Sequence, residues 1–423
     1  MNTVKPTLQE LRKQAESNSP EAWFQLAQAH MGLQEPQEAH GWFRRAAEAG
    51  HVPSQVDLAR QLLHGTGVVA DPAQAAFWLR RAEPSDHPVA AYLLALLSLS
   101  GVVVPYDHRI NERLTKAVNA GFAPALRAAA IHFGRKPDPA DQQRCLQLLQ
   151  HGMQRGDWVS ALLLAERLQR GEGCKPNQKA ARAILNKLDQ NGIAPLPALT
   201  VPAVNRIEGP ANTLSIDDTL QSPTAVSLSE KPKVWVLDGL LSADECRLLI
   251  ALARPVLQPS RAIDLETGKP IPLSLRTMSD VTFDPMAEDL SLRMVQQRMA
   301  TTAGVEFSRA ESLRVMRQES GDEVLPPVGD YLPPGSGHPG SHAAGNRAHT
   351  ICVFLNQPEA GGEIQFPTSG LNVRTQTARA VIFDNLQADG SPDLESQHSA
   401  LPVKRGEKWL ATLWLREGRY RNF

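Results

Sequence analysis

The fold is decided by four segments: RAHTICVFLN at residues 347–356, GGEIQF at 361–366, ARAVIFD at 378–384 and EKWLATLWLR at 407–416. They are rich in β-branched and aromatic residues and are separated by glycine, proline and aspartate, which is typical of short strands joined by turns. By the same criteria we expect strands at 312–318, 350–355, 363–366, 380–384, 400–403 and 409–415. Many short strands behind one leading helix favour a double-stranded β-helix, or jelly roll.

The leading helix is predicted directly after the strand-like segment VWVLDGLL at residues 234–241. Ser242, followed three residues later by Glu245, has the pattern of a capping box that opens a helix. We therefore expect the jelly-roll domain to occupy residues 233–423. A chain of 423 residues is too long for one compact core, so a second domain is expected before it.

The first half of the chain is an array of helical repeats. Internal glycines recur 33, 36, 33 and 37 residues apart, at Gly32, Gly65, Gly101, Gly134 and Gly171. An alanine precedes each by five or six residues, at Ala27, Ala59, Ala95, Ala128 and Ala165. Small residues let paired helices approach closely, and bulky residues such as Trp42 and Trp78 fill the layer between units. Periods of this length with helix–turn–helix content indicate an α-solenoid, which we place at residues 1–192.

Between the two patterns, residues 193–232 lose all periodicity. Prolines interrupt any long helix there, at Pro195, Pro197, Pro202, Pro210, Pro223 and Pro232. The segment is also rich in Thr, Ser, Asn and Asp. We interpret it as a proline-rich linker.

Composition excludes several classes of protein. The formal net charge is -1, so no global field attracts the chain to nucleic acid or to acidic lipid, and we expect neither partner. The four cysteines form no CxxC pair, which fits a reducing compartment. The apolar run 89–104 is too short to span a bilayer, and residues 1–13 lack the apolar core of a signal peptide. We expect a cytoplasmic protein.

The repeats resemble Sel1-like repeats. The resemblance depends on the turns Gly65-Thr66-Gly67-Val68 and Gly171-Glu172-Gly173, each followed by a helix rich in alanine. It covers about five units, and the third and fourth depart from the pattern at the turn. A tetratricopeptide array, whose period is a stricter 34, is the near alternative. Such arrays usually bind a peptide or protein, so we expect a protein partner here.

Residues from 234 to the C-terminus resemble the prolyl-4-hydroxylase-type Fe(II)/2-oxoglutarate dioxygenases. The features follow the family's order: LSADEC, ESLRVMRQESG, DYLPP, NRAHTICVFLN, AGGEIQF, VIFDN, QHSALPV and GEKWLATLWLR. The resemblance implies an oxidoreductase that hydroxylates a protein or peptide side chain, prolyl hydroxylation being the family analogy. It implies Fe(II) and 2-oxoglutarate as cofactors, with ascorbate as a further candidate.

The resemblance also assigns site residues. Asp330 matches the carboxylate ligand of iron, His398 the distal histidine ligand, and Lys408 the cation that binds the far carboxylate of 2-oxoglutarate. The first histidine ligand, expected two residues before Asp330, is replaced by Val328. Gln318 stands where the family usually has tyrosine. Histidines nearby that are candidate replacements for the lost ligand are His338, His342 and His349.

Two functions remain open at this point. The first is a working dioxygenase to which the repeats recruit a protein substrate. The second is a non-catalytic pseudo-oxygenase that keeps the barrel as a protein-binding scaffold, because losing one imidazole from a three-ligand site weakens metal binding strongly.

Overall fold

The computed structural model describes residues 6–197, 199, 209–263, 270–272, 278–286, 288–321, 327–332 and 341–423. The chain forms two compact units: Met1–Ala125 together with Asn422–Phe423, and Leu126–Arg421. The boundary between these units therefore lies inside the repeat array. The expected domain limits at 192 and 232 follow the sequence pattern and stay a prediction.

The first unit consists of paired helices: α1 (Leu8–Ala15), α2 (Pro20–Gly32), α3 (Pro36–Glu48), α4 (Val52–His64), α5 (Pro72–Ala82), α6 (Pro88–Ser100), α7 (Ile110–Asn119) and the start of α8 (Ala123–Gly134). Gly65 ends α4 in the left-handed conformation, with φ of 65°. The repeated alanines Ala27, Ala59 and Ala95 are fully buried. The predicted helix–turn–helix repeats are confirmed.

The apolar run at 89–104 falls largely in α6, which has 13 residues. Over the described ranges, no helix is both long enough and apolar enough to cross a bilayer.

The second unit continues the array with the rest of α8, α9 (Pro139–Gln154), α10 (Trp158–Arg170) and α11 (Gln178–Asp189). The helices that follow are α12 (Ile216–Leu220), α13 (Ala243–Ala253), α14 (Leu290–Thr302) and the short α15 (Ser341–Ala344). The predicted capping box opens α13. The Ser242 hydroxyl accepts from the Glu245 N–H at 3.3 Å, and the Glu245 carboxylate accepts from the Ser242 N–H at 2.8 Å.

The strands are β1 (Val226–Glu230), β2 (Lys233–Leu237), β3 (Gln258–Pro259), β4 (Arg261–Ile263), β5 (Pro270–Pro272), β6 (Met278–Thr282), β7 (Arg314–Glu319), β8 (Arg347–Phe354), β9 (Ala360–Gly361), β10 (Ile364–Phe366), β11 (Leu371–Val373), β12 (Ala380–Asp384), β13 (Ser399–Ala400), β14 (Val403–Arg405) and β15 (Glu407–Arg416). An eight-stranded antiparallel sheet has the order β1-β2-β12-β8-β15-β7-β6-β3. A smaller sheet has the order β11-β10-β13, and β14 pairs with β9. The chain thus combines helical repeats with an antiparallel β domain, as the sequence predicts.

One expectation about the strands is wrong in detail. The predicted strand at 400–403 is two strands, β13 and β14, because Pro402 between them has no N–H to donate to a ladder. The segment interpreted as a linker contains β1, which pairs with β2 through Glu230 and Lys233. Pro232 lies in the tight turn of this hairpin.

The large sheet has two different faces. Trp409, Ala411 and Leu413 of β15 belong to a core cluster that includes residues of α13 and α14. Leu410, on the other face, belongs to a second cluster with Phe366 of the smaller sheet. Side chains therefore alternate between the two faces of the sheet along β15. Lys408 and Thr412 share the face of Leu410 and point between the two sheets.

The fifth repeat is joined to the β domain by buried ion pairs within the second unit. Arg167 of α10 donates to the Asp244 carboxylate at 2.8 Å, and Arg247 of α13 donates to Glu172 at 2.6 Å. The Glu245 carboxylate accepts from two further buried guanidinium groups, at 2.6 Å from Arg135 and 2.8 Å from Arg298. These contacts explain why residues from Leu126 onward form one compact unit.

Candidate active site

Asp330 and His398 lie together beside the face of the large sheet that carries Lys408. The Asp330 Oδ2 atom is 4.0 Å from His398 Nε2, and both side chains are 15% exposed. His398 directly precedes β13, and Asp330 follows Val328 by two residues. The two candidate metal ligands predicted from sequence are thus brought together by the fold.

Val328 is fixed opposite His398 by an isolated antiparallel bridge. Each residue donates its backbone N–H to the carbonyl of the other, at 3.0 Å. Residues that face each other in an antiparallel pair project their side chains to the same side. Position 328 therefore lies beside the Asp330–His398 pair, and it presents a hydrocarbon side chain that is 58% exposed.

Two buried polar side chains orient Asp330. The Thr350 hydroxyl donates to Asp330 Oδ2 at 2.8 Å, and the Asn385 amide donates to the Thr350 oxygen at 2.9 Å. Both Thr350 and Asn385 are fully buried. Because the Thr350 proton goes to Asp330 and its oxygen accepts from Asn385, this chain of hydrogen bonds fixes the ionised carboxylate in one orientation.

His398 is also held in one orientation. Its Nδ1 atom is 3.2 Å from the Ser396 carbonyl, which can only accept, so Nδ1 carries a proton, and in the neutral imidazole the lone pair is on Nε2. The imidazole ring packs edge-on against Phe383, with centroids 4.8 Å apart, and at a tilt against Phe366 at 5.7 Å. The Nε2 atom therefore faces the Asp330 carboxylate at 4.0 Å, beyond hydrogen-bond distance.

Tyr331 ties together the two segments that carry this pair. Its hydroxyl accepts from the Gln397 amide at 3.0 Å, next to His398. The Tyr331 ring lies across Gly329, where a Cβ atom would come within 2.2 Å of it. Glycine at 329 is therefore required by the ring of Tyr331.

Lys408 is almost completely buried, at 1% exposure, and its ammonium donates to the Gly362 carbonyl at 3.1 Å. Its neighbour in the ladder with β7 is Gln318, also 1% exposed, whose Oε1 atom has no hydrogen-bond partner among the residues that the structure describes. That oxygen can accept only from a donor, so the group here that suits an anionic ligand is the buried ammonium of Lys408.

The structure describes the three candidate replacement histidines to different extents. His338 lies outside the described residues, and only the backbone of His342 is described. His349 Nδ1 bonds to Asp384 at 2.7 Å. His349 alternates along β8 with Thr350, so its side chain lies on the opposite face of the sheet from the Thr350 hydroxyl that binds Asp330. Replacement of the lost ligand by one of the three stays a prediction.

Cys352 is a buried thiol whose protonation is affected by the charge of Asp330. Burial, reinforced by the negative charge of Asp330, raises the pKa of Cys352 to about 12. The thiol stays protonated at neutral pH and offers no thiolate ligand. All four cysteines are free.

Sequence reasoning missed Thr350, Asn385 and Tyr331. The signal for Thr350 was available, because its hydroxyl begins the otherwise apolar run TICVF of this strand, on the face that alternates with His349. Asn385 carries no such signal. Its contact with Thr350 depends on the pairing of β8 with β12.

The donor atoms present fit a divalent cation with two protein ligands. One oxygen and one nitrogen of the types that Fe(II) accepts lie 4.0 Å apart, and hydrogen bonds from Thr350 and to the Ser396 carbonyl orient the two side chains. No group of three or more His, Cys, Asp or Glu with metal-binding geometry occurs in the part of the chain that the structure describes. The buried ammonium of Lys408 fits a carboxylate.

Comparison with protein families agrees with both halves of the chain. Residues 329–416 match the 2OG-Fe(II) oxygenase superfamily. Residues 21–51, 52–83 and 158–187 match the Sel1 repeat. The match confirms the repeat type predicted from sequence and includes the two units whose glycine turns resemble that repeat, at Gly65 and Gly171.

Curated relatives include plant prolyl 4-hydroxylases. Probable prolyl 4-hydroxylase 3 of Arabidopsis thaliana is 30% identical over 46% of this chain and 72% of its own length. Prolyl 4-hydroxylase 1 of the same plant is 31% identical with the same coverage. Among solved structures, the viral collagen prolyl hydroxylase of Paramecium Bursaria Chlorella virus-1 is 24% identical, with a TM-score of 0.34, over 43% of this chain and 94% of that one.

Proposed function

Because this chain belongs to the prolyl 4-hydroxylase family of 2OG-Fe(II) oxygenases, we propose that its β domain is a 2-oxoglutarate- and Fe(II)-dependent dioxygenase. Its substrate is a side chain of a protein or peptide, with proline as the family's target. The observation that carries the proposal is the Asp330–His398 pair, whose Oδ2 and Nε2 atoms lie 4.0 Å apart.

Asp330 and His398 would hold the iron, and Lys408 would bind the far carboxylate of 2-oxoglutarate. When bound, Fe(II) and 2-oxoglutarate supply the oxidising power that inserts an oxygen atom from O2 into a C–H bond. Thr350 orients the Asp330 carboxylate through its 2.8 Å hydrogen bond. Phe366 and Phe383 pack around the His398 ring and exclude water from that side of the site.

Lys408 suits a dicarboxylate for an electrostatic reason. A cation at 1% exposure loses its hydration, and the Gly362 carbonyl accepts one of its hydrogen bonds. A carboxylate would supply both the opposite charge and strong acceptors.

The Sel1 repeats would recruit the protein substrate. Sel1-type arrays stack short units and expose an extended surface, and such surfaces usually bind peptides or proteins. The near-neutral net charge of -1 agrees with a protein partner rather than nucleic acid. We place the enzyme in the cytoplasm, where free thiols persist, with ascorbate as the reductant that keeps the iron ferrous.

Anaerobic calorimetry of Fe(II) in the presence of 2-oxoglutarate tests the proposal. Wild-type protein should bind Fe(II), and His398→Ala should lose that binding. His108→Ala, which removes an exposed histidine from the repeat array, is the matched control and should bind as wild type does. Succinate release under air then measures turnover.

The result also decides against the non-catalytic alternative. If wild-type protein binds no Fe(II) at about millimolar concentration, or if His398→Ala binds as tightly as wild type, the oxygenase proposal is wrong. The barrel would then be a scaffold that has kept its shape without its metal.

A further inference from the structure

A groove of about 420 Å³ lies on the second helix of the second repeat. Ala73, Ala76, Phe77 and Arg80 line it and are spaced i, i+3, i+4 and i+7 on α5, so they form one continuous stripe on the helix. The other lining residues are Arg81 and Val103. Two alanines in the stripe leave room that larger side chains would fill.

Phe77 presents an uncovered ring at this groove. It is 55% exposed, whereas its neighbours Trp78 and Leu79 are 7% and 0% exposed. A single exposed aromatic residue is common on protein surfaces, but this one borders a concavity with an apolar floor of alanine and valine. Covering the ring would remove apolar area from water and favour binding of a large apolar side chain.

Two cations border the same groove without carboxylate partners. Arg80 and Arg81 are exposed and form no ion pair within the described residues. Elsewhere in the same unit, nearby cations are neutralised: Arg113 by Glu83 at 2.7 Å, and Lys116 by Asp86 at 2.7 Å. Positive charge is therefore left available at the groove.

We propose that this groove is a docking site for an acidic protein segment that carries one large apolar side chain. The apolar side chain packs on Phe77 between Ala73, Ala76 and Val103. Carboxylates of the same segment pair with the guanidinium groups of Arg80 and Arg81, which accept bidentate contacts.

This inference rests on the recruiting role proposed for the repeats, and gives that role a location and a chemistry. It does not depend on the chemistry at Asp330 and His398. The groove lies in the first compact unit and can be tested by binding alone.

Fluorescence anisotropy on the full chain tests the proposal with a short labelled peptide in which one Phe is flanked on both sides by Asp and Glu. Three comparisons define the chemistry: the same peptide with Ala for Phe, the same peptide with Lys and Arg for the acidic residues, and the titration repeated at higher salt. We expect saturable binding of the first peptide only, weakened by salt because the charges are exposed.

Variants then locate the site. The double variant Arg80→Glu/Arg81→Glu and the single variant Phe77→Ala should each weaken binding by about tenfold or more. The matched controls are Lys179→Glu/Arg182→Glu, which reverses two exposed cations on the second helix of another repeat, and Leu33→Ala, which removes an exposed apolar side chain. Both controls should bind as wild type does.

The proposal is overturned if the acidic peptide shows no saturable binding below about 1 mM, if the basic peptide binds equally, or if the groove variants bind as the controls do. The Fe(II) and 2-oxoglutarate titration is run on the same variants and should be unchanged. Loss of peptide binding with intact cofactor binding supports the groove, and loss of cofactor binding in wild type concerns only the oxygenase proposal.

Discussion

Val328 and His398 exchange two backbone hydrogen bonds of 3.0 Å, which fixes them face to face beside Asp330. The backbone at position 328 is thus held where its side chain lies on the same side as the His398 imidazole. At this position the departure from the family pattern is the valine side chain, because the backbone is paired directly with the segment that carries His398. A histidine introduced at this position needs no movement of the backbone to face the pair.

Val328→His is therefore expected to strengthen Fe(II) binding. A third imidazole donor beside Asp330 and His398 should raise the affinity by about tenfold or more, since ligand and supporting-shell changes of this kind alter affinity by about 10–100-fold. Anaerobic calorimetry with 2-oxoglutarate present measures the change. Val226→His, on the edge strand β1 where Val226 is 64% exposed, introduces the same group away from the site and should have no effect. Equal affinities for the two variants would show that position 328 does not face the metal.

The Thr350 hydroxyl is expected to matter for both stability and metal binding. Thr350→Val keeps the shape but removes the donor to Asp330 and the acceptor for Asn385. Leaving these buried groups unsatisfied should lower the free energy of unfolding by about 1–3 kcal/mol. Because Asp330 would lose its fixed orientation, Fe(II) affinity should fall by about tenfold.

Thr412→Val is the matched control for this prediction. Thr412 faces the same side of the sheet, and the one hydrogen-bond partner of its hydroxyl among the described residues is the Cys352 sulfur at 3.5 Å, a weak partner. Thr412→Val should therefore have a urea midpoint and an Fe(II) affinity close to those of the wild type. If Thr350→Val and Thr412→Val behave alike, Thr350 has no special role in positioning Asp330.

Local patterns predicted much of this fold, and pairings between distant residues could not be predicted. The capping box at Ser242 and Glu245 spans three residues, and the alternation of Lys408 with Trp409 spans one, so both are readable from sequence. One partner of Glu245 is Arg135, 110 positions away. No local pattern distinguishes Arg135 from the other basic residues of the chain as that partner.

The site residues likewise divide into those that local motifs predict and those that depend on pairing between distant segments. His398 and Lys408 were assigned from motifs, while the bridge between Val328 and His398 depends on a register that no local pattern encodes. The edge strand β1 was hidden for a related reason. Its hairpin turn contains Pro232, and proline-rich sequence is typical both of turns and of linkers.

Glu245 is expected to be essential to the stability of the second unit. Its carboxylate is 1% exposed and neutralises Arg135 and Arg298. Glu245→Gln would leave both guanidinium groups buried without a counter-charge, at a cost of about 3–5 kcal/mol. The midpoint of urea denaturation measures this loss. Glu48→Gln, which disrupts an ion pair with Arg44 in which both side chains are more than half exposed, should change the free energy of unfolding by no more than about 0.5 kcal/mol.

The same group predicts a dependence of stability on pH. Burial alone would raise the pKa of Glu245, but the charges of Arg135 and Arg298 overcome it and lower the pKa from 4.5 to about 2. The folded state therefore binds this proton less readily than the unfolded state, so the stabilisation is complete above pH 4.5 and is lost as the pH falls toward 2. The difference in urea midpoint between wild type and Glu245→Gln should shrink over this range. A difference that stays constant from pH 5 to pH 3 would contradict the depressed pKa.

We expect Lys408 to be required for tight binding of 2-oxoglutarate and not for the stability of the folded protein. Lys408→Met keeps the length of the side chain and removes a buried charge, so the urea midpoint should stay the same or rise. The loss of a charge-assisted hydrogen bond should weaken 2-oxoglutarate binding by about tenfold or more, as measured by calorimetry with Fe(II) present. Lys404→Met removes an exposed lysine from the neighbouring strand β14 and should leave both quantities unchanged. A folded Lys408→Met protein that binds 2-oxoglutarate as wild type does would exclude Lys408 as the carboxylate anchor. Its buried ammonium would then donate to the Gly362 carbonyl without binding 2-oxoglutarate.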